Sequence, residues 1–398
     1  MSNLYKTKKR ILFVTHRDAR DKKEWSGTFY SMAQSLSKHS GEVIHAGPYY
    51  PIVLLFFLKV LNKLSIFFLK KKYRITYSYL LAYFYRLHFS RKIKKEKPNI
   101  IFAPSSSGEI SLIKADQPKV YLGDATLNLL LDTYPNYTNL SKLSLWEAQK
   151  VEHKAFSNAT SLVFSSDWAA SSAMKDYNVP REKIHIIPYG ANMEKIPSKK
   201  EIEGKNIKEA IKVLFLGVDW DRKGGDLVYD SFLKLQEIGI NSELVVCGCI
   251  PPIQYNHPKM QVIPYLDKNK ESDAEKLYNV LLSSNFLFIP SKSDCTPIVF
   301  CEANAFGIPV LTTDVGGITS VITDGINGHT YPLNTSADIY AEKIAWYSKN
   351  PDKYIEMVKT SRQHYEQYLN WDNWGIKMNE LFERLLSDSG SKKVVNEI

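Results

Sequence analysis

The chain has 398 residues, too many for one hydrophobic core, and it fits two domains of roughly 180–200 residues each. Its 44% hydrophobic and 24% charged residues are typical of a soluble globular protein. In a chain of this size the four cysteines (Cys247, Cys249, Cys295 and Cys301) argue against a disulfide framework, and no Cys/His cluster has zinc spacing. We therefore expect reduced thiols and a cytoplasmic protein. The first apolar run, residues 11–14, is too short for a signal peptide core.

The formal net charge of +10 is concentrated in one segment. Residues 51–99 contain twelve lysines and arginines and a single acidic residue, Glu96, so the rest of the chain is nearly neutral.

The chain opens with a β-α-β pattern. A strand is predicted at residues 9–16, a helix from Thr28 to about Lys38, and a second strand at 43–47. The first loop lacks the G-x-G-x-x-G pattern, so the sequence gives little support to dinucleotide binding.

The most hydrophobic stretch follows at residues 51–69 and nearly reaches transmembrane length, but Lys59 and Lys63 interrupt it. At about 100° per residue, these lysines share one side of a helix with Asn62 and Lys70. A tyrosine-rich stretch comes next. The pattern favours an amphipathic helix that lies on an anionic membrane without crossing it. The alternative is a pair of core helices whose lysines face water. Nucleic acid is not favoured because no recognised binding module accompanies the charge.

The remainder of the first half continues the alternation. Strands are predicted at 99–104, 120–123, 161–166 and 183–187, and helices at 141–158 and 167–177. The second half repeats it, with strands at 211–217, 243–248, 262–266, 285–289 and 309–313 and a helix at 273–283. A lysine-rich polar segment, about 193–210, is the predicted linker.

Two carboxylates flank a strand-to-helix turn in the second half. Asp294 follows the strand at 285–289, Glu302 falls inside the next helix, and seven residues separate the two acids. Such a turn lies at the carboxyl end of a strand, where open α/β sheets bind their ligands, and the helix start attracts an anion such as a diphosphate. The alternative is that both acids belong to an ordinary Rossmann-like unit.

The run from Pro290 through Asp294 and Glu302 to Val310 resembles the acid-x7-acid motif of retaining GT-B glycosyltransferases, the glycogen-synthase-like group (family 4, or group 1). That family usually has glutamate at the first position, where this chain has Asp294. The run Pro188-Tyr-Gly-Ala-Asn192 is similar to the end of the family's first domain. Gly217 followed after five residues by Lys223-Gly resembles its phosphate-gripping turn, with Val218 where arginine is common.

The resemblance implies an α/β protein of the GT-B fold. Two Rossmann-like doubly wound domains would face each other across a cleft, and the C-terminal helix would cross back to the first domain. The implied parts are an acceptor-side domain at 1–192, the linker at 193–210, a nucleotide-sugar-binding domain at 211–370 and the final helix at 371–398.

The resemblance also implies the activity, which is transfer of a sugar from a UDP- or GDP-linked donor to a glycan or lipid-linked acceptor with retention of anomeric configuration. The family needs no cofactor, and no metal site is expected. The protein would work in the cytoplasm, peripherally on the inner face of the membrane, with no nucleic acid partner.

The residues that occupy the motif positions of the resembled family take the roles that the resemblance implies. Glu302 would hold the ribose hydroxyls, Asp294 the sugar hydroxyls, and Arg222 and Lys223 the diphosphate, whose negative charge grows as the sugar bond breaks. The alternative for the two cations is a solvated basic turn. The other donor candidates are Gly27 in the first loop and the helix start, namely Thr296, Pro297, Ile298 and Val299. The acceptor or sugar candidates are His16, Asp124 and Thr126, each equally readable as a local hydrogen-bonding residue.

A second function class stays open at this point. A non-catalytic GT-B module would bind a nucleotide-sugar as a scaffold or partner subunit, and Asp294 and Val218 are its best support. A sugar-nucleotide epimerase on the same fold is weaker, since the motifs point to the transferases.

Overall fold

The computed structural model describes residues 8–207 and 209–395, with side chains described as far as residue 388. Residues 1–7, 208 and 396–398, which the predicted domains include, lie outside the described residues. Internal contacts divide the chain into two units: residues 8–187 together with the chain from 374 onward, and residues 188–373. The segment predicted as a linker, 193–210, belongs to the second unit in this division and contains a short helix.

The first unit is built on a six-stranded parallel sheet in the order β2-β1-β3-β4-β5-β6. Its strands are β1 Arg10–Phe13, β2 Glu42–His45, β3 Ile100–Pro104, β4 Lys119–Gly123, β5 Ser161–Phe164 and β6 Ile184–Ile186. Its helices are α1 Thr28–His39, α2 Ile52–Leu69, α3 Tyr79–Glu96, α4 Ser107–Ile110, α5 Leu127–Leu130, α6 Lys142–Asn158 and α7 Asp167–Tyr177. Strands β3 and β4 are buried along their whole length, which explains the apolar runs at 100–104 and 120–123; β4 also begins with a buried Lys119.

The second unit holds another six-stranded parallel sheet, in the order β12-β11-β10-β7-β8-β9. Its strands are β7 Ile211–Leu216, β8 Ser242–Cys247, β9 Met260–Ile263, β10 Phe286–Ile289, β11 Val310–Thr313 and β12 Gly328–Tyr331. The remaining helices are α8 Lys199–Glu203, α9 Gly225–Glu237, α10 Glu271–Ser283, α11 Ile298–Ala305, α12 Ala337–Lys349, α13 Pro351–Gln367 and α14 Trp371–Val395.

Side chains of β7 enter two cores, one on each face of the second sheet. Leu214 and Leu216 belong to one buried cluster, and Val213 and Phe215 to the other. This follows from the two-residue period of a strand. Helices therefore cover both faces, and a ligand can reach the sheet only at its edges.

The last helix packs on the first unit from residue 374 onward. The rings of Trp374 and Phe382 lie 6.1 Å and 6.3 Å from that of Phe102 on β3. Lys9 donates to Asn379 (2.5 Å) and pairs with Glu383 (2.6 Å). The C-terminal segment thus completes a core to which the start of the chain contributes.

One strand lies earlier than the sequence predicts. The prediction placed it at 262–266, whereas β9 ends at Ile263. Pro264 follows, and a proline has no N–H to continue a sheet ladder.

The basic segment forms two helices of different character. Helix α3 is a core helix and buries Leu81, Tyr85 and Phe89. Helix α2 is mostly exposed, and by length and composition alone it is apolar enough to cross a membrane. The alternative of two core helices therefore fits α3 and is wrong for α2.

Candidate active site

Both sheets have a switch point, the place where the order of strands along the sheet reverses and where open α/β sheets bind ligands. In the second sheet it lies between β7 and β10, which are neighbours with Leu214 opposite Leu287. In the first sheet it lies between β1 and β3, where Leu12 is opposite Ile101. Predicted site residues follow these strands, and in each unit the switch point carries a carboxylate paired with a basic side chain.

The pair in the second unit joins Lys223 and Asp294. The Nζ of Lys223 donates to Oδ2 of Asp294, and each side chain is only 10% exposed. The hydroxyl of Ser291 lies 3.4 Å from the same carboxylate oxygen. A charge buried to this degree requires a partner, since an isolated one loses its hydration. Here each of the two groups compensates the other.

Two glycines fix the loop that carries Asp294. Gly224 has φ +75°, and a Cβ there would lie 2.3 Å from the Pro290 carbonyl oxygen. Gly316 has φ +62°, and its Cβ would lie 2.0 Å from the carbonyl oxygen of Asp294. The N–H of Gly317 donates to that same oxygen at 3.2 Å. Only glycine fits these approaches, so the backbone of the acidic loop is held from two sides.

Arg222 lies at the rim of this arrangement. Its Nε contacts Oδ2 of Asp219 at 3.2 Å, and its Nη1 donates to the Ser293 carbonyl at 3.0 Å. Arg222, whose side chain is 21% exposed, also lines an open cavity of about 540 Å³ whose other walls include Val218, Trp220 and the segment 249–252. A cation is therefore presented to a space large enough for part of a ligand.

Glu302 lies on α11 and is 1% exposed. Its Oε1 accepts from the Nζ of Lys268 at 2.5 Å, and the same ammonium donates to the Asn192 carbonyl at 3.2 Å. The carboxylate is thus buried, charge-compensated and fixed in direction.

The Pro188–Asn192 run packs beside α11. The thiol of Cys301 contacts the Tyr189 carbonyl at 3.6 Å, and Asn192 accepts from the indole N–H of Trp371 at 3.0 Å. Gly190 lets the chain pass close to Trp371, because a Cβ there would lie 2.5 Å from the Trp371 nitrogen. Two of the three runs that carry the family resemblance are therefore in contact within one unit.

The start of α11 contains the remaining donor candidates. Pro297 precedes the first helical residue, Ile298, and Thr296 is buried with its hydroxyl donating to the Cys295 carbonyl at 2.8 Å. Ile298 and Val299 are partly exposed. The first N–H groups of a helix have no partner inside the helix, so this turn can receive an anion.

The switch point of the first unit carries His16 and Glu109. Oε1 of Glu109 lies 2.6 Å from Nδ1 of His16 and accepts the His16 backbone N–H at 3.0 Å. The imidazole stacks on Tyr85 with ring centroids 5.6 Å apart. Because a carboxylate only accepts, Nδ1 carries the hydrogen, and Nε2 is the nitrogen that could meet a ligand.

Glu109 stays ionised in this pair. Burial alone would raise its pKa, but the charge of His16 and the hydrogen bonds from it hold the pKa below its ordinary value. The first unit thus holds a histidine oriented by a buried carboxylate.

Asp124 and Thr126 follow β4 and differ in exposure. Asp124 is half-buried, whereas Thr126 is fully buried and its hydroxyl bonds that of Ser172 at 2.6 Å. The next N–H, of Leu127, donates to Glu152 at 2.6 Å. Burial raises the pKa of Glu152 to about 7 against the smaller effect of its hydrogen bonds.

Gly27 ends a strained turn before α1. Trp25, Ser26 and Gly27 have consecutive positive φ values of 49°, 56° and 90°. For the two residues other than glycine this backbone costs roughly 1 kcal/mol each, and such strain concentrates at functional sites.

Two partners of the site residues were not found from the sequence, namely Glu109 and Lys268. Glu109 is 93 residues from His16 in the chain, and Lys268 is 34 residues from Glu302. Each pair comes together because the fold brings distant segments to the same edge of a sheet. Among the described residues no group of three or more His, Cys, Asp or Glu side chains could hold a metal ion.

Comparison with known proteins shows that part of the second unit is similar to a known family. Residues 197–364 match the model of the family "Glycosyl transferases group 1". A D-inositol 3-phosphate glycosyltransferase of Corynebacterium urealyticum is 22% identical over 254 residues, which cover 59% of each chain. The chain therefore spans less than two thirds of this curated relative.

Solved structures are similar over nearly the whole chain. A sucrose-phosphate synthase from Thermosynechococcus elongatus aligns with a TM-score of 0.66 at 16% identity, covering 96% of this chain and 100% of its own. HepE from Anabaena, solved in complex with UDP and glucose, aligns with a TM-score of 0.59 at 14% identity and the same coverages. These likenesses confirm the GT-B fold that the sequence predicts. The GT-B fold thus extends along the chain, and within its second unit residues 197–364 match the group 1 glycosyltransferase family.

Proposed function

We propose that this protein transfers a sugar from a nucleotide-sugar donor to a glycan or lipid-linked acceptor and retains the anomeric configuration. The observation that carries the proposal is the set of Lys223, Asp294 and Glu302 at the carboxyl edge of β7 and β10, a switch point in the unit that matches the group 1 glycosyltransferase family. UDP is the first nucleotide to test because HepE was solved with UDP, and GDP is the second.

The diphosphate would lie at Lys223 and the start of α11. An ammonium has three hydrogens, so Lys223 can keep Asp294 as a partner and still donate to a phosphate oxygen. Arg222 would turn from Asp219 toward the leaving phosphate across the open cavity. Ile298 and Val299 would offer their backbone N–H groups at the start of α11, where the helix dipole also favours an anion, and Thr296 and Pro297 would shape the turn before them.

Glu302 would accept the ribose hydroxyls, with Lys268 holding its carboxylate in direction. Asp294 would position the transferred sugar through its hydroxyls. It is one methylene shorter than the glutamate of the resembled family, so we expect the sugar to lie slightly closer to the loop at 290–294.

In the transfer itself the bond between the anomeric carbon and the phosphate oxygen breaks, and its electron pair leaves with the diphosphate. The acceptor oxygen forms the new bond on the same face and gives its proton to the leaving phosphate oxygen. Cations are needed because charge grows on that oxygen in the transition state. No side-chain base, cofactor or metal is included in this proposal.

The acceptor side would use the first unit. His16, oriented by Glu109, is the first candidate for a sugar or acceptor hydroxyl, and Asp124 is the second. We assign no ligand contact to Thr126, because its hydroxyl is buried against Ser172. Gly27 would let the donor phosphates approach the strained turn before α1.

The same proposal places the protein in the cytoplasm at the inner face of the membrane, with no nucleic acid partner. All four cysteines are free thiols, which fits a reducing compartment.

The test is donor turnover with a panel of UDP- and GDP-sugars and a lipid and glycan extract as acceptor source. We expect nucleotide release that depends on acceptor, and a product whose anomeric configuration, read by NMR, equals that of the donor. A product of inverted configuration refutes retention. Binding of the donor with no transfer to any acceptor would instead favour the non-catalytic module.

A further inference from the structure

Helix α2 turns an apolar face to the outside of the first unit. The face consists of Val53, Phe57, Val60, Leu64 and Phe67, whose spacings of four and three residues place them along one side of the helix. Phe57 and Phe67 are 63% and 68% exposed, and Phe56 beside them is 63% exposed. Monomeric soluble proteins rarely leave a patch of this kind in water.

The opposite side of α2 is fixed to the unit. Leu54 and Leu58 belong to its buried core. The side chain of Asn62 accepts the Tyr73 N–H at 2.8 Å, and Ser65 donates to the Lys71 carbonyl at 2.8 Å. Turning the apolar face inward would break these contacts, so its exposure is built into the fold.

Lysines run along one flank of the apolar face. Lys59 and Lys63 are exposed and lie one helical turn apart, and the exposed Lys70 follows directly after the last residue of α2. The Nζ of Lys70 lies 5.8 Å from the ring centre of Phe67, so charge and apolar surface are adjacent. This is the arrangement of a helix that lies in a lipid interface, with rings among acyl chains and ammonium groups at phosphates.

Helix α3 exposes a similar pattern. Leu80, Tyr83 and Leu87 are 49%, 44% and 40% exposed, and Arg91 and Lys94 continue the same line toward the C-terminus of the helix. Two successive helices therefore combine exposed apolar side chains with exposed cations in the most basic segment of the chain.

We propose that α2 docks the first unit on an anionic lipid bilayer, with its apolar face inserted into the interface and its lysine flank on the headgroups. Acidic headgroups are the partner that the charge selects, since residues 51–99 hold twelve cations and one anion. The proposal goes beyond the transfer chemistry, whose proposed donor residues lie mainly in the second unit.

Two other occupants fit less well. Spanning the bilayer would require α2 to give up Leu54 and Leu58 from the core, and its 18 residues reach only about 27 Å. Pairing with a second copy would bring two lysine flanks near each other without a counter-charge.

The test is flotation of the full chain with vesicles of phosphatidylcholine alone and of phosphatidylcholine mixed with phosphatidylglycerol, at low and high salt. We expect binding to the mixed vesicles, weaker at high salt, and little to the neutral ones. Phe56→Glu/Phe67→Glu and Lys59→Glu/Lys63→Glu should each lower binding roughly tenfold or more.

A matched control separates the loss of membrane docking from a general effect of added negative charge. Ile339→Glu/Ile355→Glu alters two residues that are 44% exposed on α12 and α13, and it should float like the wild type. Circular dichroism checks that each variant folds, and UDP release with a soluble acceptor should be unchanged in all of them. Failure of flotation would therefore remove the proposed membrane location and leave the proposed transfer reaction untouched.

Three outcomes overturn the docking proposal. The first is no binding to mixed vesicles at low salt, and the second is equal binding by the wild type and the Phe56→Glu/Phe67→Glu variant. The third is a wild-type dimer in solution that this variant dissociates, without vesicle binding; a second copy of the chain would then cover the face.

Discussion

Replacing Lys223 by methionine tests the buried pair at the centre of the proposed site. The substitution keeps an unbranched side chain that is one atom shorter, and it leaves the carboxylate of Asp294, 10% exposed, without its ammonium partner. The Ser291 hydroxyl, at 3.4 Å from that oxygen, would remain beside it. Breaking a buried pair by removing one partner costs about 3–5 kcal/mol.

The expected loss can be read by differential scanning calorimetry. For a unit of this size 1 kcal/mol corresponds to about 2–4 °C, so the melting transition of the second unit should fall by roughly 6–20 °C. Lys223→Met/Asp294→Asn should recover most of that loss, because it removes the uncompensated charge. Lys353→Met, on an exposed pair with Glu356, is the control and should melt like the wild type.

Measuring the rate of sugar transfer then separates the effect of the Lys223 variants on stability from their effect on catalysis. Both Lys223 variants should lose transfer by about a hundredfold to a thousandfold at a temperature where they are folded, since a cation at the diphosphate is missing in each. The reasoning is refuted if Lys223→Met melts like the wild type, or if the double variant recovers activity along with stability.

Three further predictions address neighbouring residues. Glu302→Ala should weaken UDP binding tenfold to a hundredfold, or about 1–3 kcal/mol, because the ribose hydroxyls lose their acceptor. Titration calorimetry measures this affinity, and an unchanged value in a folded variant would show that Glu302 does not bind the donor. Arg222→Ala should lower kcat more than it raises KM, because the leaving charge develops in the transition state, and a change in KM alone contradicts this. Glu152, with its pKa raised from 4.5 to about 7, should stabilise the first unit below pH 4.5 and lose that contribution, about 3 kcal/mol, as the pH rises through 7. The melting temperature of Glu152→Gln should fall less over this range, and parallel curves for the two proteins would show that Glu152 is not the group concerned.

Much of the second unit could be predicted because its signals are local. The apolar run before Asp294, the proline before α11 and the glycine after it each act on their own few residues. The spacing of Asp294 and Glu302 then follows from one turn and one helix, so sequence alone places both acids at the same sheet edge.

The charge partners of these residues could not be predicted in this way. Lys268 reaches Glu302 from the loop after β9, and Glu109 reaches His16 from α4. Both contacts depend on which strands are neighbours in the sheet, and the spacing of residues in the sequence does not reveal the order of the strands. The exposure of α2 was likewise open in the sequence, since an apolar helix with a few lysines fits a core as well as a lipid surface.

Gly224 and Gly316, which pack against the loop at residues 290–294, limit how this protein can be re-engineered. Any side chain at Gly224 or Gly316 would collide with a backbone carbonyl of residues 290–294, so length and path of that loop are fixed by its neighbours. Substitutions meant to change the donor preference should therefore be made in segments that do not pack this closely against a glycine. The exposed Ile250 and Ile253 beside the open cavity, and the loop around Lys268, are the natural positions for a library.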